Sequence, residues 1–267
     1  MKGLLHGTYS TKVDKTFTSQ YMNVLIYAVS RGFRVPTYNN QVKQNILLRT
    51  LLYNGVLNNL DSFYNFYTNG DSDFAKIDQK NPGSNNADGT ATFLPFTGYS
   101  GDGISTYLDF GQVLNTVGLK YQINDACIGA DITAHTLSAP GAIIFGALNT
   151  AVTAASQYYH DTSNKIGWSI NNLSGSFYPS DAVTGNILLQ RSGTGIYFVK
   201  NGVQLTAKIE SSVGVPQRRL SLFARTQNSP AHNVFSRSTA TMAFHGQYIT
   251  KYAEFNAAWQ NYKSNPT

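Results

Sequence analysis

Residues 196 to 205 read Ile196-Tyr-Phe-Val-Lys-Asn-Gly-Val-Gln-Leu205, which is two apolar runs separated by Asn201-Gly202. A two-residue type I′ turn needs positive φ at both central positions, and Asn-Gly accepts this conformation at little steric cost. The stretch therefore predicts a β-hairpin. It also indicates that the neighbouring chain is built from antiparallel strands.

The chain around this hairpin carries further strand signals. Ile166, Trp168 and Ile170 alternate with Gly167 and Ser169, as expected for a strand with one face in a core. Other short apolar runs recur at spacings typical of a sandwich, at 126–132, 142–148, 187–190, 220–224 and 241–244. Regular spacing of short strands is typical of a β-sandwich, so the sequence predicts a mainly β fold from residue 81 onward.

The first 80 residues show helical periodicity instead. Apolar residues three and four apart predict three amphipathic helices there, and a fourth near the C-terminus. Their stripes are Tyr21, Met22, Leu25, Ile26 and Val29; Val42, Ile46, Leu47 and Leu51 behind an N-cap at Thr37; Leu57, Leu60, Tyr64 and Tyr67; and Tyr252, Phe255, Trp259 and Tyr262 behind an N-cap at Thr250.

The loop from Asn81 to Gly89 is rich in turn residues and marks the predicted boundary between two units. About 50 residues with three apolar stripes cannot bury all of them internally. We therefore predict that residues 1–80 are a helical attachment and oligomerisation segment. Residues 81–267 should form a sandwich domain with a C-terminal helix, able to fold alone when truncated near Asn81.

Several stretches resemble, in the same order, the concanavalin A-like (laminin-G-like) jelly roll. They are Phe96-Thr-Gly-Tyr-Ser-Gly-Asp-Gly-Ile-Ser-Thr-Tyr-Leu-Asp-Phe-Gly111, Gly195 to Gln204, Leu220-Ser-Leu-Phe-Ala-Arg225 and Thr241 to Ile249, followed by the C-terminal helix. With Phe74 to Pro82 and Ala91-Thr-Phe-Leu94 upstream, the chain resembles a recurrent module of tailed-bacteriophage virion proteins.

This resemblance implies a non-enzymatic structural protein of the phage particle, a decoration or fibre-like component attached to the capsid or tail. Its partners would be other virion proteins and further copies of itself, with host or mucosal cell-surface glycans as additional ligands. Its location would be the virion, after synthesis in the bacterial cytoplasm. The alternative is a free-standing carbohydrate-binding lectin.

Composition narrows the classes of partner. Only 13% of the 267 residues are charged, and the net charge of +6 includes no contiguous basic run, so nucleic acid is not expected as a partner. No stretch approaches the roughly 18 apolar residues of a membrane span, and the start of the chain lacks the apolar run of a signal peptide. We expect no membrane insertion. The single cysteine, Cys127, is expected to be a buried and unreactive thiol.

Catalytic motifs are missing from the sequence. Glu210 and Glu254 are isolated, whereas glycosidases place two carboxylates across the cleaved bond. The histidines lack metal-ligand spacing, and His245 is expected to be a surface or hydrogen-bonded residue. Asp71 and Asp73 begin like a calcium loop without its later ligands. We therefore predict no catalytic residue, no metal and no cofactor.

The aromatic residues offer a candidate glycan site. Tyr158, Tyr159 and Trp168 lie close together around a predicted loop and strand, and aromatic faces are what sugar C–H groups stack on. The alternative is that Trp168 belongs to the core and the tyrosines pack against it. Eight basic residues against one glutamate between 191 and 251 also leave open a basic face for an anionic glycan, beside the alternative of a solvated sheet face.

Overall fold

The computed structural model places the strands in two sheets that pack face to face around a hydrophobic core. This arrangement confirms the predicted β-sandwich. The structure describes residues 16–136, 142–149, 155–160, 165–172, 176–179, 183–228 and 231–264. Among the described helices, none combines the length and the apolar character that a bilayer span requires.

Most of the described helical residues lie toward the two ends of the chain, and most of the strands lie between them. The helices are α1 (Ser19–Ser30), α2 (Tyr38–Tyr53), α3 (Val56–Asn59), α4 (Ser72–Ala75) and α5 (Tyr252–Lys263). The strands are β1 (Leu60–Asn65), β2 (Asp88–Gly89), β3 (Thr92–Leu94), β4 (Gly98–Ser100), β5 (Leu108–Val113), β6 (Asp125–Thr136), β7 (Ala142–Leu148), β8 (Ala155–His160), β9 (Lys165–Asn172), β10 (Ser176–Pro179), β11 (Gly185–Ser192), β12 (Gly195–Lys200), β13 (Val203–Ile209), β14 (Arg219–Leu222), β15 (Arg225–Asn228), β16 (Ala231–Asn233) and β17 (Arg237–Gly246).

Two sheets account for all of these strands. Sheet A has the order β13-β12-β11-β6-β17-β4-β3, and β1 also pairs with β17. Sheet B has the order β10-β9-β8-β7-β14-β5-β2, and the β15–β16 hairpin joins it through β7. Almost every pairing is antiparallel, as in sandwiches built from hairpins; the pairing of β15 with β7 is parallel.

The predicted hairpin is confirmed as β12–β13. Lys200 pairs with Val203 across a two-residue loop, and φ is +50° at Asn201 and +76° at Gly202. Both central residues therefore have the positive φ that the type I′ turn requires. The Asn201 side chain also accepts a hydrogen bond from the backbone N–H of Asn186, at 2.9 Å, which ties the turn to the preceding strand.

The central strands of sheet A are buried on both faces. Its inner face, with Ile128 and Ala243, contributes to the sandwich core, and its outer face, with Cys127 and Phe244, meets the helices in a second core. Leu51 of α2 and Trp259 of α5 lie in that second core. Burial raises the pKa of the Cys127 thiol, as expected for an unreactive cysteine.

The helices pack with faces that differ partly from the predicted ones. In α1 the buried residues are Tyr21, Val24 and Ala28, whereas Ile26 and Val29 of the predicted stripe are 58% and 62% exposed. The stripe prediction for α1 is therefore wrong except for Tyr21 and the half-buried Met22 and Leu25, because α1 contacts its neighbours along a face rotated from the most apolar one. Two apolar side chains remain on the surface.

The other two helices follow their predictions more closely. In α2 the buried apolar residues are Leu47, Leu48 and Leu51, and Ile46 is partly exposed. Thr37 is the N-cap residue of α2, although its side chain makes no capping hydrogen bond. In α5 the stripe of Phe255, Trp259 and Tyr262 is buried as predicted, but the N-cap is Lys251 and not Thr250.

The third predicted helix is wrong. Only the four residues of α3 are helical there, and Leu60 to Asn65 form strand β1, which pairs with β17. All six residues of β1 are buried, so the strand shows no alternation of polar and apolar residues. Tyr64 and Phe66 belong to the sandwich core. Part of the sandwich therefore precedes the predicted boundary near residue 80, and the assembly role of residues 1–80 stays a prediction.

A buried histidine occupies the sandwich core. His245 of β17 is fully buried, stacks on Phe110 with ring centroids 6.2 Å apart, and has no hydrogen-bond partner at either ring nitrogen. The expectation of a surface or hydrogen-bonded residue is wrong. Desolvation lowers the pKa of His245 to about 4, so the ring is neutral at pH 7.

We predict that a fragment beginning at Asn81 does not fold alone, contrary to the expectation from sequence. It lacks β1, so one edge of β17 is unpaired along residues 242–246, and the core loses Tyr64 and Phe66. Circular dichroism and two-dimensional NMR of residues 81–267 should show an unfolded or aggregated chain. Adding residues 16–80 as a separate peptide should restore the native spectrum. A folded, monomeric fragment would contradict this prediction.

We also predict that His245 makes the protein sensitive to acid. Above pH 6.5 the ring is neutral in the folded and unfolded states; between pH 6.5 and 4 only the unfolded chain binds the proton, so stability falls. The loss from this residue should reach about 3 kcal/mol at pH 4. The free energy of unfolding, measured by urea titration at pH 7 and pH 4, should fall less in His245→Leu. Equal losses in the two proteins would rule out His245 as the source.

Candidate functional site

The predicted aromatic site does not form as a surface. Tyr158 and Trp168 are fully buried in the sandwich core, where their rings lie 6.0 Å and 5.9 Å from that of Phe198. A buried ring cannot offer its face to a ligand, so the core alternative holds for these two residues. Tyr159 is half-buried on the opposite face of β8, and its assignment to a glycan site stays a prediction.

The alternation of strands β8 and β9 explains this separation. Tyr158 pairs with Trp168, and Tyr159 pairs with Gly167, so consecutive residues point to opposite faces of sheet B. A Cβ atom at position 167 would collide with the Tyr159 ring. The glycine therefore lets this ring lie flat on the outer face of the sheet, which faces away from the core.

A row of small and polar residues crosses this outer face. Asp109 pairs with Ser221, Ser221 with Gly146, Gly146 with Gln157, and Gln157 with Ser169. Their strand neighbours, including Leu108, Phe110, Leu220, Leu222, Phe145, Tyr158 and Trp168, point into the core. We call these five residues the polar row. The row places hydrogen-bonding side chains on the outer face of five adjacent strands, β5, β14, β7, β8 and β9.

Asp109 organises one end of the polar row. Its Oδ1 atom accepts hydrogen bonds from the Ser221 hydroxyl and from Nε2 of His232, the latter at 2.7 Å. The Ser221 hydroxyl also contacts the hydroxyl of Thr226. The Tyr107 ring stacks on the His232 ring with centroids 3.6 Å apart and planes 16° apart. These five residues, which we call the aspartate cluster, come from four segments of the chain.

The aspartate cluster is arranged for rigidity and not for nucleophilic catalysis. A serine nucleophile needs a histidine as its proton acceptor, with the carboxylate on the far side of the ring. Here Ser221 and His232 both bond the same oxygen of Asp109, so the carboxylate is the partner of the serine. Asp88 lies opposite Asp109 in the β2–β5 pair, but Asp109 is already engaged by two donors.

A second group extends the outer face toward β8. The Nε atom of Arg225 donates to Oδ1 of Asn233 at 3.3 Å. Burial lowers the pKa of Arg225, and the Coulombic interaction with Tyr159 partly offsets this effect. The half-buried residues Tyr159, Arg225 and Asn233 thus combine an aromatic face, a cation and an amide.

Two buried oxygens in the polar row lack hydrogen-bond partners. They are Oε1 of Gln157 and Oγ of Ser169. A buried polar atom without a partner costs about 1–3 kcal/mol, and such atoms in a native structure point to strain, a functional role or a missing ligand. Both oxygens belong to the same face of sheet B as the half-buried Tyr159.

A polar depression of about 540 Å³ lies between α5 and the β12–β13 turn. Its one carboxylate, Asp131, accepts hydrogen bonds from Trp259 Nε1 at 2.9 Å, from Lys263 at 2.6 Å and from Thr241. Asp131 is almost fully buried, and these donors occupy its Oδ2 atom. The carboxylate holds α5 against sheet A, and we assign the depression no ligand.

Within the described residues, no three His, Cys, Asp or Glu side chains come together as a metal-binding group. The histidines that are distant in sequence do form one close pair, His135 and His160, whose ring nitrogens Nε2 and Nδ1 are 3.2 Å apart. The sequence offered no signal for this pair, because the two residues lie in strands of different sheets.

Comparison with protein-family models and with curated proteins finds no match for this chain. Solved structures do match it. Trypanosoma rangeli sialidase in complex with sialic acid is 14% identical over 79% of this chain and 37% of that chain, with a TM-score of 0.54. The binding domain of botulinum neurotoxin DC in complex with SialylT is 9% identical over 77% of this chain and 52% of that chain, with a TM-score of 0.52.

A third similar structure is that of botulinum neurotoxin type C, whose cell entry depends on interaction with two ganglioside molecules. It is 10% identical over 78% of this chain and 52% of that chain, with a TM-score of 0.53. The chain thus spans about two fifths of the sialidase and about half of the toxin chains. At these identities the similarity shows the fold alone, a β-sandwich.

Proposed function

We propose that this chain is a carbohydrate-binding β-sandwich that acts without catalysis, and that its ligand lies on the outer face of sheet B. The observation that carries the proposal is the half-buried group of Tyr159, Arg225 and Asn233 on that face. Tyr159 and Arg225 lie on the same face of the sheet as the polar row. Sugar hydroxyls donate and accept hydrogen bonds, and sugar C–H faces stack on aromatic rings, so this set of groups suits a sugar.

The proposed mechanism is recognition by a rigid surface. The aspartate cluster fixes Tyr107 and His232 before any ligand arrives, and fixed side chains lower the entropic cost of binding. The solved structures that share the fold include proteins named with sialic acid, SialylT and gangliosides, which supports a glycan as the ligand class. Arg225 would favour a sugar that carries a carboxylate.

We further propose that the glycan-binding sandwich is carried on the particle of a tailed bacteriophage, in several copies. The support is the ordered resemblance of the motifs from Phe74 to Tyr262 to a phage virion module. The exposed Ile26 and Val29 of α1 supply apolar surface for contact with another copy or a virion partner. The alternative, a free-standing lectin, predicts that the protein is absent from phage particles.

Substitution of Tyr159 should weaken glycan binding. In a glycan array followed by calorimetry, Tyr159→Ala should lose about three- to tenfold in affinity through the missing aromatic contact. Arg225→Ala should lose about ten- to hundredfold if the sugar is anionic. The matched control is Tyr53→Ala, because Tyr53 is 91% exposed on α2. If Tyr159→Ala binds the glycan with the same affinity as the wild type, the binding site lies elsewhere. Cleavage of the bound glycan would contradict the non-enzymatic assignment.

The virion role has its own test. Mass spectrometry of purified particles of the phage that encodes this chain should detect it in multiple copies. A double substitution, Ile26→Asp with Val29→Asp, should leave the folded protein unable to join the particles, because it places two charges on the apolar surface of α1. Absence of the wild-type chain from particles would favour the free-standing lectin. Glycan binding without particle incorporation would leave the first proposal intact.

A further inference from the structure

We propose that His135 and His160 form a binding site for a divalent transition-metal ion of the zinc class. His135 Nε2 and His160 Nδ1 are 3.2 Å apart, and the rings meet edge to face with centroids 5.2 Å and planes 64° apart. Neither histidine belongs to the aspartate cluster or the polar row. The proposal is therefore independent of the proposed carbohydrate site.

The two histidines face each other across the end of the sandwich. His135 lies near the end of β6 in sheet A, opposite Ser238 of β17. His160 is the last residue of β8 in sheet B, opposite Ala142 and Ile166. The pair is thus a direct contact between the two sheets at their shared end. An ion held by both rings would join the sheets.

The separation of the nitrogens fits joint coordination of one ion. Imidazole nitrogens bind zinc at about 2.0–2.1 Å, and tetrahedral geometry then places two of them about 3.3 Å apart. The observed 3.2 Å is within about 0.1 Å of that separation. The separation of the two nitrogens therefore suits one ion held by both rings.

The surroundings of His135 match those of a metal-binding histidine. Ligand histidines usually have their second ring nitrogen held by a hydrogen bond, which fixes the tautomer. The Nδ1 atom of His135 is 2.8 Å from Oγ of the buried Ser238. If Nδ1 carries the proton and donates it to Ser238, Nε2 presents its lone pair toward His160.

The Nδ1 atom of the almost fully buried His160 is the one that faces His135. The Nε2 atom of His160 has no hydrogen-bond partner and takes no part in the proposed coordination. Since the described residues bring no third His, Cys, Asp or Glu side chain to this group, water would complete the coordination, reaching it past the half-buried His135.

Bound metal should stabilise the fold. An ion that binds the folded state alone adds RT ln(1 + [M]/Kd) to stability, which raises the melting temperature as the metal concentration rises. The unfolded chain keeps the two histidines 25 residues apart in sequence, so it offers no preformed site. The stabilisation should therefore depend on both rings together.

The test is a zinc titration of the full chain after chelator treatment, followed by calorimetry and thermal unfolding. We expect one zinc ion per chain and a higher melting temperature, both reversed by EDTA. His135→Ala and His160→Ala should each lower zinc affinity at least about tenfold, and Ser238→Ala about tenfold. His232→Ala is the matched control, because it removes a histidine from a different cluster, and it should bind zinc like the wild type.

The proposal is overturned if the wild type binds no zinc, or if His135→Ala and His160→Ala bind it with wild-type affinity. A second measurement covers variants that do not fold. Cobalt substituted into the wild-type chain should give the visible absorption of a tetrahedral site, and X-ray absorption should count two imidazole nitrogens. An octahedral cobalt spectrum identical to that of the free ion would also overturn the proposal.

Discussion

Strand β17 is the element on which the rest of the structure depends, because it is paired on both edges and buried on both faces. It bonds β6 on one side and β1 and β4 on the other. Its inward residue Ala243 enters the sandwich core, and its outward residue Phe244 enters the core under the helices. A strand in this position couples the two cores, so the helices and the sandwich stabilise each other.

This coupling also decides which face of the sandwich the helices cover. The helices cover the outer face of sheet A, and Trp259 of α5 is tied to Asp131 of that sheet by a 2.9 Å hydrogen bond. Among the described residues, the core under the helices contains no residue of a sheet B strand. The polar row on the outer face of sheet B consists of polar or small residues, such as Ser221, Gly146 and Ser169. The described helices therefore cover the outer face of sheet A. The polar row lies on the opposite side of the sandwich, on the outer face of sheet B.

The sequence predicts well the features that depend on neighbouring residues. The Asn201-Gly202 turn and the stripe of α5 are local, and both are confirmed. The sequence predicts a helix where strand β1 forms, because burial on both faces removes the alternation that identifies a strand, and Leu60 and Tyr64 fit a helical spacing. The aspartate cluster gives no sequence signal at all, since its residues meet only through strand pairing and the folding of the β15–β16 hairpin.

The aspartate cluster is also a reason to propose a binding role for this chain and not a catalytic one. A catalytic carboxylate must remain available to a proton or a substrate atom, whereas Asp109 already accepts from Ser221 and His232. The Asp109 carboxylate holds these two side chains in place and, through His232, also the stacked Tyr107 ring. A carboxylate used in this way fixes the shape of a surface before the ligand arrives. Such preorganisation lowers the entropic cost of binding, because few side-chain rotamers remain to be ordered. It would therefore suit a ligand such as a sugar, whose individual contacts are weak.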